Sequence, residues 1–223
     1  MASIIDERSG PVAAAHDGTL PPAAAIAAAG TAQWGNSAPL ALAAFAVTTF
    51  LLSMVNANFV NQGVEPVVFG VALMFGGITQ LVAGVIQFRN GNTFTGVLFS
   101  TFAAFWMSLF AIVEYFLKGV PAAQVGHALG LFLFGFGIFT FWMWVASFRT
   151  NVVVNLALFL LAVTFFVLGA GNYGGSANVV HAGGYLGLLV AAMAGYLSCA
   201  EVCEASYGRV VLPVWPLAKR HAA

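Results

Sequence analysis

The stretch VVVNLALFLLAVTFFVLGAG, residues 152–171, contains twenty residues and no charged side chain. An α-helix rises about 1.5 Å per residue, so a helix over this stretch is about 30 Å long, which is the thickness of the hydrocarbon core of a bilayer. The stretch therefore predicts a helix that crosses a membrane.

Five further apolar runs of similar length lie along the chain. They cover residues 39–60, 66–88, 94–117, 127–147 and 178–200. Hydrophobic residues make up 61% of the 223 residues and charged residues only 6%. An average soluble domain has roughly a quarter charged residues, and a chain with so few cannot keep its surface in water. We therefore expect an all-α integral membrane protein, with six transmembrane helices in one domain over residues 36–213.

The two ends of the chain differ from this domain in composition. Residues 1–35 are rich in Ala, Pro and Gly, and they lack the basic start and leucine-rich core of a signal peptide. We expect a disordered N-terminal tail that is not cleaved, and a short C-terminal tail over residues 214–223.

The basic residues predict the orientation of the helices. Six of the seven fall on the side of the two termini: Arg8, Arg89, Arg149, Arg209, Lys219 and Arg220. Only Lys118 falls on the other side. By the positive-inside rule both termini lie in the cytoplasm, and we expect a multi-pass protein of the inner or plasma membrane.

The spacing of three arginines suggests an internal repeat. Arg89, Arg149 and Arg209 are 60 residues apart, and each follows an even-numbered helix. This spacing predicts three helical hairpins arranged around a pseudo-threefold axis. The alternative is that the arginines simply mark three cytoplasmic helix ends.

Residue counts along the helices predict which side chains share the middle of the membrane. Nine or ten residues into the odd-numbered helices lie Phe45, Phe102 and Leu161. This distance is roughly 15 Å, half the core thickness, so the three side chains would narrow a pore at the midplane. Counting nine residues back from the arginines of the even helices reaches Gln80 and Thr140 as polar neighbours. Ordinary helix packing is the alternative interpretation.

Other polar side chains along the helices are candidates for contact with a solute. His181 is an ionisable group within an apolar run, so it is either a functional group or a buried neutral histidine bonded to a carbonyl. The complete set of substrate-binding candidates is Asn36, Thr48, Thr49, Asn56, Gln80, Thr140, Asn172 and His181.

Short motifs in the order of the chain resemble one known family. The segment Asn36-Ser37-Ala38-Pro39-Leu40-Ala41 is similar to the Asn-Pro-Ala-Pro-Leu-Gly signature of the acetate uptake transporter family, the succinate-acetate permeases. Further similar segments are Thr48-Thr49, Gly76-Gly77-Ile78-Thr79-Gln80, Gly91-Asn92-Thr93-Phe94, Phe105-Trp106, Gly171-Asn172, His181-Ala182-Gly183-Gly184, Tyr207-Gly208-Arg209 and Leu212-Pro213. The likeness covers residues 36–213.

The resemblance implies six-helix subunits that assemble as a homo-hexameric ring, each with its own path for acetate and related small carboxylates such as succinate. It also implies a Phe-Leu-Tyr constriction, which falls on Phe45, Leu161 and Phe102. Two departures stand out. Ser37 replaces the first proline of the signature, and Phe102 lacks the hydroxyl of the usual tyrosine, so substrate preference or rate is expected to differ from the family's norm.

Physical chemistry limits how a carboxylate would pass such a constriction. A carboxylate among Phe and Leu side chains loses its hydration, at a cost of several kcal/mol or more. Such a solute would therefore cross as the neutral acid, or together with a proton, or along a path kept wet by polar side chains. We expect external acid to favour uptake. The alternative function is a channel for a neutral small solute such as urea or a short amide.

No motif of an enzyme or a cofactor site occurs in the sequence. It contains no P-loop, dinucleotide fingerprint, zinc spacing or nucleophile elbow. The two cysteines, Cys199 and Cys203, are too few for a disulfide framework or a structural metal site. The net charge is zero, which gives no indication of nucleic acid binding. We therefore expect protons, a small carboxylate and the lipid bilayer as partners, with no metal and no cofactor.

Overall fold

The computed structural model describes residues 34–217. Six helices in this part of the chain are long and apolar enough to cross a membrane: α1 Ala38–Asn56, α2 Gln62–Arg89, α3 Thr93–Gly119, α4 Ala122–Arg149, α5 Val152–Tyr173 and α6 Ala177–Tyr207. The prediction of an all-α protein with six transmembrane helices is confirmed. The predicted N-terminal tail lies outside the described residues except for residues 34 and 35.

Two helix ends differ from the ends of the apolar runs. Helix α1 stops at Asn56 rather than near residue 60, because Asn58 has a left-handed backbone with φ of 61°. Helix α6 continues past residue 200 to Tyr207, where Gly208 ends it with φ of 65°. The seven additional residues extend α6 by about 10 Å.

Helices α2 and α3 each contain a π-helical segment, at Ala72–Thr79 and Ile112–Phe116. Such segments are rare and frequently accompany functional sites. Helices α2 and α3 lie very close to each other within the segment of α2, since a Cβ atom added at Gly76 would lie 2.7 Å from Cγ of Trp106. Glycine at this position therefore permits the contact between the two helices.

The helices lie around a central space in the order of the chain. Helix α1 packs against α2 and α6, α2 packs against α3, and α5 packs against both α4 and α6. Helices α3 and α4 meet through aromatic rings, with Phe105 stacked on Phe132 at a centroid distance of 5.3 Å. This aromatic contact closes the bundle between α3 and α4.

A polar cluster joins three helices on the side of the bundle where α1 begins and α6 ends, which we call the terminal side. The Gln87 side chain of α2 is buried, and its amide lies within hydrogen-bonding distance of Asn36, Ser37 and Thr95. The Ser37 hydroxyl donates to the Ala83 carbonyl at 2.8 Å. The serine that departs from the family signature therefore ties the start of α1 to α2.

The segment after α6 is bonded to the loop between α4 and α5. The Val152 amide donates to the Trp215 carbonyl, and the Leu217 amide donates to the Thr150 carbonyl, each at 2.9 Å. The Tyr196 hydroxyl donates to the Pro213 carbonyl at 2.7 Å. Residues 214–217, which begin the predicted C-terminal tail, thus pack against the entrance of α5.

Candidate transport path

Two cavities lie along the central space of the bundle. The far-side cavity, about 260 Å³, is lined by the last turns of α1, α3 and α5 and by the first turns of α2 and α4. The terminal-side cavity, about 80 Å³, is lined by the first turns of α1, α3 and α5, by the second half of α6 and by Gln80 of α2. Phe45 and Leu161 line both cavities. The two cavities therefore meet at these two side chains.

The junction of the cavities is filled by apolar side chains. Phe45, Phe102 and Leu161 are buried there, with exposed fractions of 7%, 2% and 6%. The ring centroids of Phe45 and Phe102 are 5.3 Å apart, and Phe165 stacks on Phe102 at 6.2 Å. The structure thus brings together the three side chains that the residue count placed at one depth.

The far-side cavity carries most of the polar lining. Helix α1 contributes Thr49, Ser53 and Asn56 to it, and α5 contributes Thr164 and Asn172. On α1 these positions follow Phe45 at intervals of three or four residues, and on α5 the lining positions 161, 164, 168 and 172 have the same spacing, so each set lies on one helix face. Three of the predicted candidates, Thr49, Asn56 and Asn172, are in this cavity.

Polar atoms without a partner flank the junction. Thr49 and Trp106 are among the residues that line the far-side cavity, and Gln80 is among those that line the terminal-side cavity. The polar atoms concerned are the Thr49 hydroxyl, the Trp106 indole nitrogen and the Gln80 amide. Each is buried, and none has a hydrogen-bond partner among the described residues. An unpaired buried polar group costs about 1–3 kcal/mol, so such groups usually have a role. These atoms have almost no accessible surface, so a hydrogen bond from them to a solute on either side of Phe45 requires the side chains to move.

Four predicted candidates line neither cavity. The Thr48 and Thr140 hydroxyls donate to carbonyls of their own helices, Ala44 and Phe136, at 2.8 and 2.7 Å. The Asn36 amide donates to a Glu201 oxygen at 2.9 Å, on the rim of the terminal-side cavity. His181 is half-buried in the first turns of α6, away from the lining of both cavities.

Six polar or ionisable lining residues were not among the sequence candidates: Ser53, Glu65, Thr95, Trp106, Thr164 and Glu201. Trp106 follows Phe102 by one helical turn, so the face of α3 that carries Phe102 also carries this indole. Glu65 lines the far-side cavity and Glu201 the terminal-side cavity. Glu65 directly precedes Pro66 at the start of a helix. A glutamate in this sequence context can lie either in a cavity wall or at the membrane interface, so the sequence did not identify it as a lining residue.

The charges of the lining are of one sign only. Within residues 34–217, neither cavity is lined by a lysine, arginine or histidine side chain. Each cavity has one ionisable lining residue in this part of the chain, the carboxyl of Glu65 or of Glu201. An anion therefore meets no compensating cation at the wall of either cavity.

Six membrane-spanning helices around two cavities that meet end to end define a multi-pass membrane protein of the channel and transporter class. The chain belongs to the GPR1/FUN34/yaaH family, whose model matches residues 16–219.

Relatives of this chain bear transport names. The succinate-acetate/proton symporter SatP of Escherichia coli K12 is 34% identical over 185 residues, which cover 83% of this chain and 97% of the relative. The ammonia transport outward protein 2 of Saccharomyces cerevisiae is 38% identical over 193 residues, which cover 84% of this chain and 68% of the relative. A solved structure of the bacterial acetate channel SatP superposes with a TM-score of 0.76 at 34% identity, covering 81% of this chain and 99% of the other.

Proposed function

We propose that this protein carries acetate and related small carboxylates, succinate among them, across the inner or plasma membrane. The observation that carries this proposal is the meeting of the two cavities at Phe45 and Leu161. A short apolar step there separates the far-side cavity, which has several polar side chains in its wall, from a terminal-side cavity whose wall is mainly apolar apart from Gln80, Thr95 and Glu201. The names of the relatives and of the solved channel support a small carboxylate as the solute.

The proposed gate consists of Phe45, Phe102 and Leu161. Two aromatic rings in contact at 5.3 Å and a buried leucine provide no hydrogen bond to a passing carboxyl group. The unpaired groups of Thr49, Trp106 and Gln80 lie on the two sides of this gate and would bind the solute before and after it. The gate thus separates two binding positions, one in each cavity.

The proposed solute at the gate is electrically neutral. Moving a carboxylate out of water without a partner costs several kcal/mol or more, and the lining within the described chain offers no cation to offset this cost. A carboxylic acid with a pKa near the ordinary Glu value of about 4.3 is neutral in roughly one molecule of several hundred at pH 7. Transport is therefore linked to protons, and acid on the entry side promotes it.

The proposed orientation has both termini in the cytoplasm, in accordance with the six-to-one distribution of basic residues in the sequence. The terminal-side cavity then faces the cytoplasm. The pseudo-threefold repeat is supported by corresponding residues on the odd-numbered helices. Phe45, Phe102 and Leu161 are each followed eleven residues later by a residue that lines the far-side cavity, which is an asparagine on α1 and α5 (Asn56 and Asn172) and Val113 on α3.

The proposed assembly is a homo-hexameric ring. Helix α4 supports this assembly because only 22% of its 18 most apolar consecutive residues are buried within the subunit. Leu131 and Trp142 on this helix are 70% and 64% exposed. A Cβ atom added at Gly135 would have no neighbour within 4 Å, so this position faces open space in the single subunit. Small residues of this kind would allow a helix of a neighbouring subunit to approach closely.

A second function has support from the same lining. Walls without a cation and with an unpaired amide at Gln80 suit an uncharged solute such as urea, a short amide or ammonia, the last being named in a yeast relative. Competition separates the two functions. Uptake of labelled acetate into proteoliposomes is expected to be inhibited by unlabelled acetate and not by urea or acetamide. Inhibition by urea with no inhibition by acetate would replace the first function with the second.

A further inference from the structure

The two carboxyl groups at the ends of the path are unusual for a protein that handles carboxylates. Glu65 lines the far-side cavity, and Glu201 lines the terminal-side cavity. A wall carboxylate repels a carboxylate solute, and this repulsion increases as the surroundings become less polar. A wall built to hold an anion would carry Arg or Lys instead. The arrangement is explained if these carboxyl groups hold protons for the solute.

We infer that Glu65 and Glu201 exchange protons with the carboxylate solute, one in each cavity, so that the solute crosses the gate between Phe45 and Leu161 as the neutral acid. This inference rests on the proposed function, since it requires that a carboxylate be the solute.

The proton transfer balances in both cavities. In the entry cavity the proton of the glutamic acid moves to the solute carboxylate, which leaves a glutamate anion and a neutral acid, and the glutamate then takes a proton from the adjacent water. In the exit cavity the neutral acid gives its proton to the second glutamate, which releases it to water. The net movement is one proton with each monocarboxylate and carries no charge.

The chemical similarity between the glutamate side chain and the carboxylate solute favours this proton exchange. The glutamate side chain and a small carboxylic acid have similar affinities for a proton, so transfer between them is close to balanced in free energy. Two carboxylates brought together also share one proton more readily than either one holds it alone. Capture at the cavity wall therefore supplies the neutral acid at a pH where it is scarce in bulk water.

The surroundings of Glu201 hold its carboxyl group in place. The Asn36 amide donates to one carboxyl oxygen at 2.9 Å from the start of α1. The charged neighbour on its own helix is Glu204, one turn further along α6. Arg89 and Arg149 end α2 and α4 on the same side, outside the lining of this cavity.

Glu65 is half-buried at the start of the α-helical part of α2, directly before Pro66. The elements around its cavity carry further charged or titratable side chains towards the same end of the bundle: Glu114, Tyr115 and Lys118 on α3, His127 on α4, Tyr173 on α5, and His181 and Tyr185 on α6. None of these side chains lines the far-side cavity. Glu65 is thus placed to meet the solute directly.

The test uses the full-length protein in proteoliposomes, with labelled acetate influx measured from pH 5 to pH 7 and corrected for protein-free vesicles. The neutral fraction of an acid with a pKa of about 4.3 falls roughly 80-fold over this range. We expect wild-type influx to fall less than tenfold. The double variant with Glu65→Gln and Glu201→Gln depends on neutral acid from bulk water, so its influx is expected to fall by the full factor of roughly 80 between pH 5 and pH 7. At pH 5 its influx should approach the wild-type rate.

Two further variants make the result specific. Glu114→Gln removes a carboxyl outside the cavity lining and is expected to keep the wild-type pH profile. The Glu65→Asp and Glu201→Asp double variant keeps titratable groups and is also expected to keep it. A Gln variant with the wild-type profile, or an Asp variant as steep as the Gln variant, would overturn the inference while leaving acetate transport established. Wild-type influx equal to that of protein-free vesicles would instead reject the proposed function.

Discussion

The ring centroids of Phe45 and Phe102 are 5.3 Å apart at the level where the far-side and terminal-side cavities meet. Phe45 lines both cavities, and Phe102 lines only the terminal-side one. The side chains of α1 and α3 therefore close the path from one half of the bundle, and Leu161 of α5 closes it from the other. This arrangement predicts that the side chain of Leu161 limits the size of the solutes that can pass.

Shortening Leu161 to alanine is expected to enlarge the gate. The relative uptake of four-carbon to two-carbon monocarboxylates should increase severalfold, because the larger acid no longer displaces a buried side chain. The substitution should also destabilise the protein by about 2–5 kcal/mol, as is usual for a buried leucine. Leu156→Ala, on the exposed face of the same helix, is the control. Equal selectivity in the two variants would contradict a gate at Leu161.

Replacing each of two buried glutamines of α2 by leucine is expected to have different effects on the stability of the protein. Gln80 has no hydrogen-bond partner among the described residues, so Gln80→Leu is expected to leave the melting temperature in detergent unchanged or raised while lowering uptake several-fold. The amide of Gln87 lies beside Asn36, Ser37 and Thr95, so Gln87→Leu is expected to destabilise the protein by about 1–3 kcal/mol. A lower melting temperature for Gln80→Leu would mean that the amide is paired within the fold.

The indole nitrogen of Trp106 is expected to bind the solute. Trp106→Phe keeps most of the ring packing and removes one donor, which corresponds to about 1 kcal/mol and a several-fold increase in the Michaelis constant for acetate. Trp144→Phe, whose side chain is not in the lining of either cavity, is the comparison. The hypothesis fails if the constant is unchanged in Trp106→Phe.

The close contact between α1 and α6 is expected to require glycine at one position. A Cβ atom at Gly184 would collide with the backbone of Ala57, which cannot move as freely as a side chain, so Gly184→Ala should destabilise the protein by about 1–3 kcal/mol. At Gly195, on the same helix, the nearest atom would be 3.9 Å away. Gly195→Ala should therefore be neutral or stabilising. Thermal unfolding in detergent measures both, and equal melting temperatures would contradict the close approach.

The sequence predicted the approximate length of the helices because the bilayer thickness sets it, and it predicted their number because each helix is a separate apolar run. Hydropathy does not report backbone detail, so the π-helical segments of α2 and α3 and the continuation of α6 to Tyr207 were not anticipated. The depth count placed Phe45, Phe102 and Leu161 at one level, and the structure has these three at the junction of the cavities.

A depth count gives the level of a residue in the membrane but not the direction of its side chain. Thr48 and Thr49 are adjacent in sequence, yet only Thr49 lines a cavity, because neighbouring helical residues point about 100° apart. Thr140 has a suitable depth and instead bonds to Phe136 of its own helix. The direction of each side chain depends on how the helices pack, which one sequence does not specify.

The most direct test of the path is labelled acetate influx into proteoliposomes containing wild type, Leu161→Trp or Leu156→Trp, each at external pH 5.5 and 7. The wild type is expected to give saturable influx that increases in acid and is inhibited by unlabelled acetate. Leu161→Trp should abolish this influx by filling the junction of the two cavities, and Leu156→Trp should retain it. Influx that persists in Leu161→Trp at the wild-type rate would contradict a path between Phe45 and Leu161.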